Sequence, residues 1–459
     1  MKAHSQKQRL IPKTASAIQQ YLSKTPASKE MYEHARSFLA GGQSHNARFY
    51  NPYPFYASKA RGKYIWDVDK NRYVDYWMGH TALILGHSPA IVTNEIRKQA
   101  NNGLLLGAPN KYAVELAELV SKSVPCAESV RFCTTGAEAT MYAVRLARAY
   151  SKRKSIIKIA GGWHGYNSAL AVGVSYPYEV PESAGLPEEE DHLVKLARFN
   201  DIESTCQVLS QNSSDLAAVI LEPLLGAGGV IPADKEYLKV LREQCDKIGA
   251  VLIFDEIITG FRLSLGGAQE YFGVEPDLCT LGKILGGGLP ASAVVGRDEI
   301  LSLADTTIKR PKQERCWIGG GTFSEHALSM RAGIATLKHL RARRSSIYGT
   351  IGKLGEELRR KVDRSFSEAG ISTKTTGAGS LFATHFLKSN QEDIKNPQDV
   401  VMSDQKTMHE YYFALIASYG IFFLPGHIGA ISTAHSGTDI LRFVESTENF
   451  ADKLSSFKK

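Results

Sequence analysis

From about residue 113 to about residue 340, short apolar runs alternate with stretches whose apolar positions recur every three to four residues. The runs Ser129–Cys133, Ser155–Ile159, Leu216–Leu221, 250–254, Leu278–Leu281 and 292–295 are short and rich in aliphatic side chains, as buried strands of a parallel sheet are. Segments 138–152 and 235–247 carry the helical period. Alternation sustained over this length predicts an α/β fold built on a large, mostly parallel, doubly wound sheet.

The flanks read differently. Residues 27–39 suggest a short helix stopped by Gly41-Gly42, residues 64–69 and 70–76 a β-hairpin with Asp and Asn in its turn, and residues 90–101 a helix. After about residue 345 the pattern is α+β: helix 351–368, strand Leu381–Phe386, helix 408–418, strand 421–424 and helix 438–454. We therefore expect a basic arm (1–28), the N-terminal part of a small domain (29–100), a large domain (101–340) and the rest of the small domain (341–459). Residues 166–200, with Pro177, Pro181, Pro187 and the acids Glu188 to Asp191, show little periodicity and read equally as a lid or a surface excursion.

Composition narrows the function classes. A 459-residue chain with 43% hydrophobic and 22% charged residues can bury full cores, as a soluble enzyme does. A net charge of +8 is too diffuse to argue for nucleic acid, and no apolar run approaches a membrane span. The six cysteines form no C-x-x-C pair and the thirteen histidines no H-E-x-x-H, so no metal site is expected and a reducing, cytoplasmic setting fits. Residues 1–28 hold five bases and no acid. A solvated arm is the favoured reading, and an organellar targeting segment the other.

The candidate chemistry starts at Asp255, which closes the run Val251-Leu252-Ile253-Phe254 and is expected at the carboxyl end of a strand, where open α/β sheets place ligands. An unpaired buried carboxylate is costly. Either Lys283, in Thr280-Leu281-Gly282-Lys283, pairs with it directly, or both face one cationic, carbonyl-bearing cofactor. The second option describes pyridoxal 5'-phosphate, with a lysine Schiff base and an acid on the ring nitrogen. Other strand ends add Thr134-Thr135-Gly136-Ala137-Glu138, a helix start able to bind phosphate or simply a capping box, and Trp163 within Gly161-Gly162-Trp163-His164-Gly165, able to stack on a flat ring or to anchor a loop. Glu222 and the hydroxyl-bearing turn Gly320-Gly321-Thr322-Phe323-Ser324 complete the set. No G-x-G-x-x-G fingerprint or P-loop occurs, which disfavours a nucleotide-dependent oxidoreductase.

In order, TTGAEA, GGWHG, LEP, FDEIITGFR, TLGKILGGGLP and GGTFS resemble the class III, fold-type I pyridoxal-phosphate aminotransferases. YIWDVDKNRYVDY, PESAGLP and TAHS are most similar to the glutamate-1-semialdehyde 2,1-aminomutase branch, and ARFYNPYPFY is similar to β-amino-acid aminotransferases. The resemblance implies Lys283 as Schiff-base lysine and proton carrier and Asp255 on the ring nitrogen. It also implies Ile257 and Trp163 on the two ring faces, Gly136 and Ala137 N–H groups on the phosphate beside Thr135, and Glu222 in the cofactor site. Thr322 would come from the partner of a homodimer with shared active sites, and Arg48 would hold a substrate carboxylate. The sequence departs from the aminomutases at Gly79-His80-Thr81-Ala82, at Ala227 and at His427, all in the expected pocket. The expected activity is transamination between a small-molecule amino donor and an oxo acceptor. The alternatives are the 2,1-aminomutase reaction and a non-catalytic binding protein.

Overall fold

The computed structural model describes residues 12–456. Its centre is a seven-stranded sheet in the order Ser129–Cys133, Ser292–Gly296, Leu278–Leu281, Val251–Glu256, Leu216–Leu221, Ser155–Ile159, Val194–Ala197. Only Ser292–Gly296 runs against its neighbours. Both faces are covered, and the two-residue period shows how. Val251 and Ile253 join one apolar cluster with Ala139, Ala143 and Leu146 of helix Gly136–Ser151, while Leu252 and Phe254 join the other with Leu238 and Leu241 of helix Lys235–Ile248. The fold is that of the fold-type I transferases: α/β, with a second, smaller α+β region built from both chain ends. The hairpin Tyr64–Asp67/Arg72–Asp75 is completed by Ile421–Phe422, which lies parallel to Arg72–Asp75.

Two expectations meet a different structure. Part of the expected arm, Pro12–Lys24, is a helix. Ala17, Ile18, Tyr21 and Leu22 turn inward at helical spacing, and the Tyr21 hydroxyl bonds to Tyr50 Oη (3.1 Å) and to the Tyr53 carbonyl (3.0 Å). The bases Lys2, Lys7 and Arg9 lie outside the described residues. The segment 166–200 contains helix Glu188–Leu193 and the edge strand Val194–Ala197, too short and too polar for a periodicity to show. Among the described residues no helix is long and apolar enough to cross a membrane.

Candidate active site

Asp255 continues the face of Val251 and Ile253 but lies beyond the apolar cluster, buried at 3% exposure. Its carboxylate is held from three directions. Oδ1 accepts from the Ile257 N–H (3.1 Å) and the Thr280 hydroxyl (2.9 Å), and Oδ2 lies 2.7 Å from His164 Nδ1. Among the described residues His164 Nε2 is buried without a partner, so the ring proton sits on Nδ1 and is donated to Asp255. A carboxylate has about four lone-pair positions, so about one remains on Asp255 for a further donor.

The turn carrying Lys283 follows strand Leu278–Leu281. Lys283 has φ +46°, in the left-handed region that side chains avoid. Packing enforces that turn: a Cβ on Gly287 would lie 2.5 Å from the Ala332 carbonyl oxygen, and one on Gly333 would lie 2.3 Å from that of Leu285. The Lys283 amine has no hydrogen-bond or ion-pair partner among the described residues. Desolvation holds its pKa below the ordinary lysine value, while Asp255 and Glu222 pull it back up. Glu222 is buried, accepts from the Trp163 N–H (2.9 Å) and the Gly226 N–H (3.1 Å), and is pushed up to about 8 by burial and then by Asp255.

Helix Gly136–Ser151 brings its N-terminus to the same edge. Its capping box uses the Thr134, Thr135 and Glu138 N–H groups: the Glu138 carboxylate accepts the first two and Thr135 Oγ1 the third. The Gly136 and Ala137 N–H groups make no hydrogen bond among the described residues, so the capping box and an anion site coexist. The Trp163 loop is fixed to this end by Thr140 Oγ1 on the His164 carbonyl (2.6 Å) and by Gly165, where a Cβ would sit 2.6 Å from Ala137 Cβ. Gly165→Ala is therefore expected to cost about 1–3 kcal/mol through overpacking, with added strain at φ +93°, read as a lower midpoint in denaturant melts. Ile257 sits between Gly136 and Gly282, whose added Cβ atoms would lie 3.2 Å and 2.9 Å from it. Trp163 is 46% exposed.

Within the electrostatic reach of Lys283, Arg48 Nε donates to His80 Nε2 (3.4 Å), and Trp77 packs against both His80 (4.3 Å between centroids) and His427 (5.7 Å). Thr322 is exposed, next to Gly321, which faces Glu138 and Thr134. His164 and Thr280 were not assigned from sequence. Thr280 became visible only through the strand register that sets it beside Asp255, whereas His164 stands inside the glycine-flanked Trp163 motif and was open to notice.

The fold and the edge residues together define an enzyme of the pyridoxal-phosphate type. The chain matches the aminotransferase class-III family model over residues 45–432 and belongs to that family, whose cofactor is pyridoxal 5'-phosphate. A glutamate-1-semialdehyde 2,1-aminomutase of Thermodesulfovibrio yellowstonii is 37% identical over 443 residues, covering 94% of this chain and 100% of that protein. Among solved structures, an omega-transaminase from Sphaerobacter thermophilus superposes with a TM-score of 0.86 at 33% identity, covering 94% and 98% of the two chains. A beta-phenylalanine aminotransferase from Variovorax paradoxus gives 0.87 at 28%, covering 96% of each.

Proposed function

We propose that this chain transfers an amino group between an amino acid or amine and an oxo acid or aldehyde, using Lys283 as the group that holds the cofactor and moves the proton. The observation that carries this reading is the partnerless Lys283 amine, placed in the field of two buried carboxylates and beside a helix start with two spare N–H groups. These residues fit a phosphorylated, cationic ring. The Gly136 and Ala137 N–H groups would take the phosphate, Ile257 and Trp163 the ring faces, and the remaining lone pair of Asp255 the protonated ring nitrogen. Pyridoxal phosphate, when bound, supplies an electron sink that makes a proton on the substrate carbon removable.

The protein's own work is to orient and to shuttle. His164 donates to Asp255 and Thr280 steadies its other oxygen, so the negative charge stays fixed where the ring nitrogen would lie. Desolvation makes the Lys283 amine easier to deprotonate, which suits it to accept a proton and return it one position away. Burial, and then the neighbouring Asp255, push the Glu222 pKa up to about 8, so this carboxyl group holds a proton more readily than an ordinary one. Because the folded-state pKa of Glu222 lies above the ordinary carboxylate value of 4.5, the stability tied to it is present at low pH and lost as pH rises towards about 8. In cofactor-free protein, Tm is expected to drop by a few degrees over that range, and Glu222→Gln should flatten this part of the profile.

The departures at His80, Ala227 and His427 favour release of an oxo product over return of the amine to the neighbouring carbon. The aminomutase reading is kept alive by the curated relatives and by the 166–200 segment beside the Trp163 loop. Glutamate-1-semialdehyde supplied alone decides between them: accumulation of 5-aminolevulinate would replace the transaminase reading. We place the protein in the reducing cytoplasm as a homodimer. Phe323, 55% exposed next to Thr322, and Trp317, 59% exposed earlier in the same loop, are the apolar surface a second copy would cover, bringing Thr322 to the phosphate site of that copy.

A further inference from the structure

Strand Ser155–Ile159 is buried along its whole length, and its side chains alternate between the two cores of the large sheet. Ile157 and Ile159 join one apolar cluster and Ile156 the other. The next position on the Ile156 face is Lys158, in register with Ile220 and Leu196 and 0% exposed. A buried amine at an otherwise aliphatic position is costly unless its N–H groups are used. Nζ donates to the Leu170 carbonyl (3.0 Å) and to the Val172 carbonyl (2.5 Å). Among the described residues it has no ion-pair partner, and Glu222 and Glu182 act on it from further off.

Both acceptors lie in the chain that follows Trp163 and His164. Residues 160–173 leave the strand end and return over the sheet. At the base of this loop the Gly161 N–H meets the Gly173 carbonyl (2.8 Å), and a Cβ on Gly173 would lie 2.6 Å from Leu196 Cδ2. At its tip the Trp163 N–H is bonded to Glu222 and the His164 ring to Asp255. We propose that Lys158 is a positioning residue: its amine fastens the returning limb of the 160–173 loop to the sheet and so fixes His164 against Asp255 and Trp163 at the ring face. The proposal rests on reading this sheet edge as a cofactor site.

A lysine suits the task because it combines reach with donors. An apolar side chain of the same length would fill the space and leave both carbonyls without a partner. Burial pulls the amine down to about 7, against the opposing pull of Glu222 and then Glu182. An ammonium has three N–H groups and a neutral amine two, so both carbonyls are served on either side of that value. The tether therefore holds through the neutral range.

The test compares wild type with Lys158→Met. In the variant, hydrogen exchange of the 160–173 peptide should quicken by about tenfold or more, with exchange of strands Leu216–Leu221 and Val251–Glu256 unchanged. The visible circular dichroism of the bound cofactor should fall, and dialysed holoenzyme should release the cofactor about tenfold faster. A lower Tm with wild-type dichroism and release would make Lys158 a purely structural residue and overturn the proposal, as would unchanged exchange in the loop. If Lys158→Met does not fold, Lys158→Gln takes its place. Its amide is one bond shorter and reaches one carbonyl at a time, so it should show the same changes in smaller measure, and wild-type values in it would overturn the proposal. A wild-type protein that shows no cofactor band would instead remove the underlying reading, whereas the exchange measurement, repeated on cofactor-free protein, tests the tether by itself.

Discussion

Lys283→Ala is expected to lower kcat by more than about 10⁴-fold while leaving the protein folded. The loss is large because one amine is asked both to hold the cofactor covalently and to carry the proton between two carbon positions. Lys158, also buried, donates to the Leu170 and Val172 carbonyls and is committed there. The fold should survive because Ile284, Leu285 and the glycines around them, not the lysine side chain, pack the turn. Steady-state rates and the mass of the borohydride-treated chain check this. Wild type gains the mass of pyridoxal phosphate less one oxygen (water lost on imine formation, two hydrogens added on reduction), the variant gains none, and turnover within about tenfold of wild type would remove Lys283 from its proposed role.

Asp255→Asn should lower kcat by about 10²–10³-fold, the range found when one preorganised electrostatic group is deleted. The substitution keeps the shape and removes the charge. Its amide can keep the Ile257 and Thr280 bonds on Oδ1, but Nδ2 then faces His164. The imidazole can accept only by shifting its proton to Nε2, which is buried with no acceptor. A stability loss of about 1–3 kcal/mol should accompany the kinetic one. Denaturant melts and rates, measured on the same sample, separate the two. A variant with wild-type kcat would show that the carboxylate does not tune the cofactor.

The strands of the large sheet were legible because they are covered on both faces. Runs such as Leu216–Leu221 must be aliphatic throughout, and nothing in a loop mimics that. The helix Gly136–Ser151 was legible from its start, since Thr135 and Glu138 have the spacing of a capping box. Val194–Ala197 was not, because a four-residue edge strand needs neither length nor alternation once a neighbour supplies the hydrogen bonds. Pro12–Lys24 was not legible, because a basic segment without acids has the composition of a solvated arm and only the packing of Ala17, Ile18, Tyr21 and Leu22 makes it part of the fold.

The site divides in the same way. Asp255, Lys283, the Thr135 turn and Trp163 stood out because each lies at or just past a strand end, the last three among glycines, where local chemistry shows in a few consecutive residues. What steadies Asp255 did not stand out. Thr280 reaches it through strand register and His164 from a separate loop, contacts 25 and 91 residues apart in sequence. Arg48, His80 and His427 were named through the family resemblance and not from any local pattern, since they come from two turns and the C-terminal region. The amino-acid order by itself determined the covered sheet and the residue types at its carboxyl edge, because burial and turn geometry act over a few neighbouring positions. Only the tertiary structure decided which groups share a field, because electrostatic coupling depends on distance through space and is indifferent to distance along the chain.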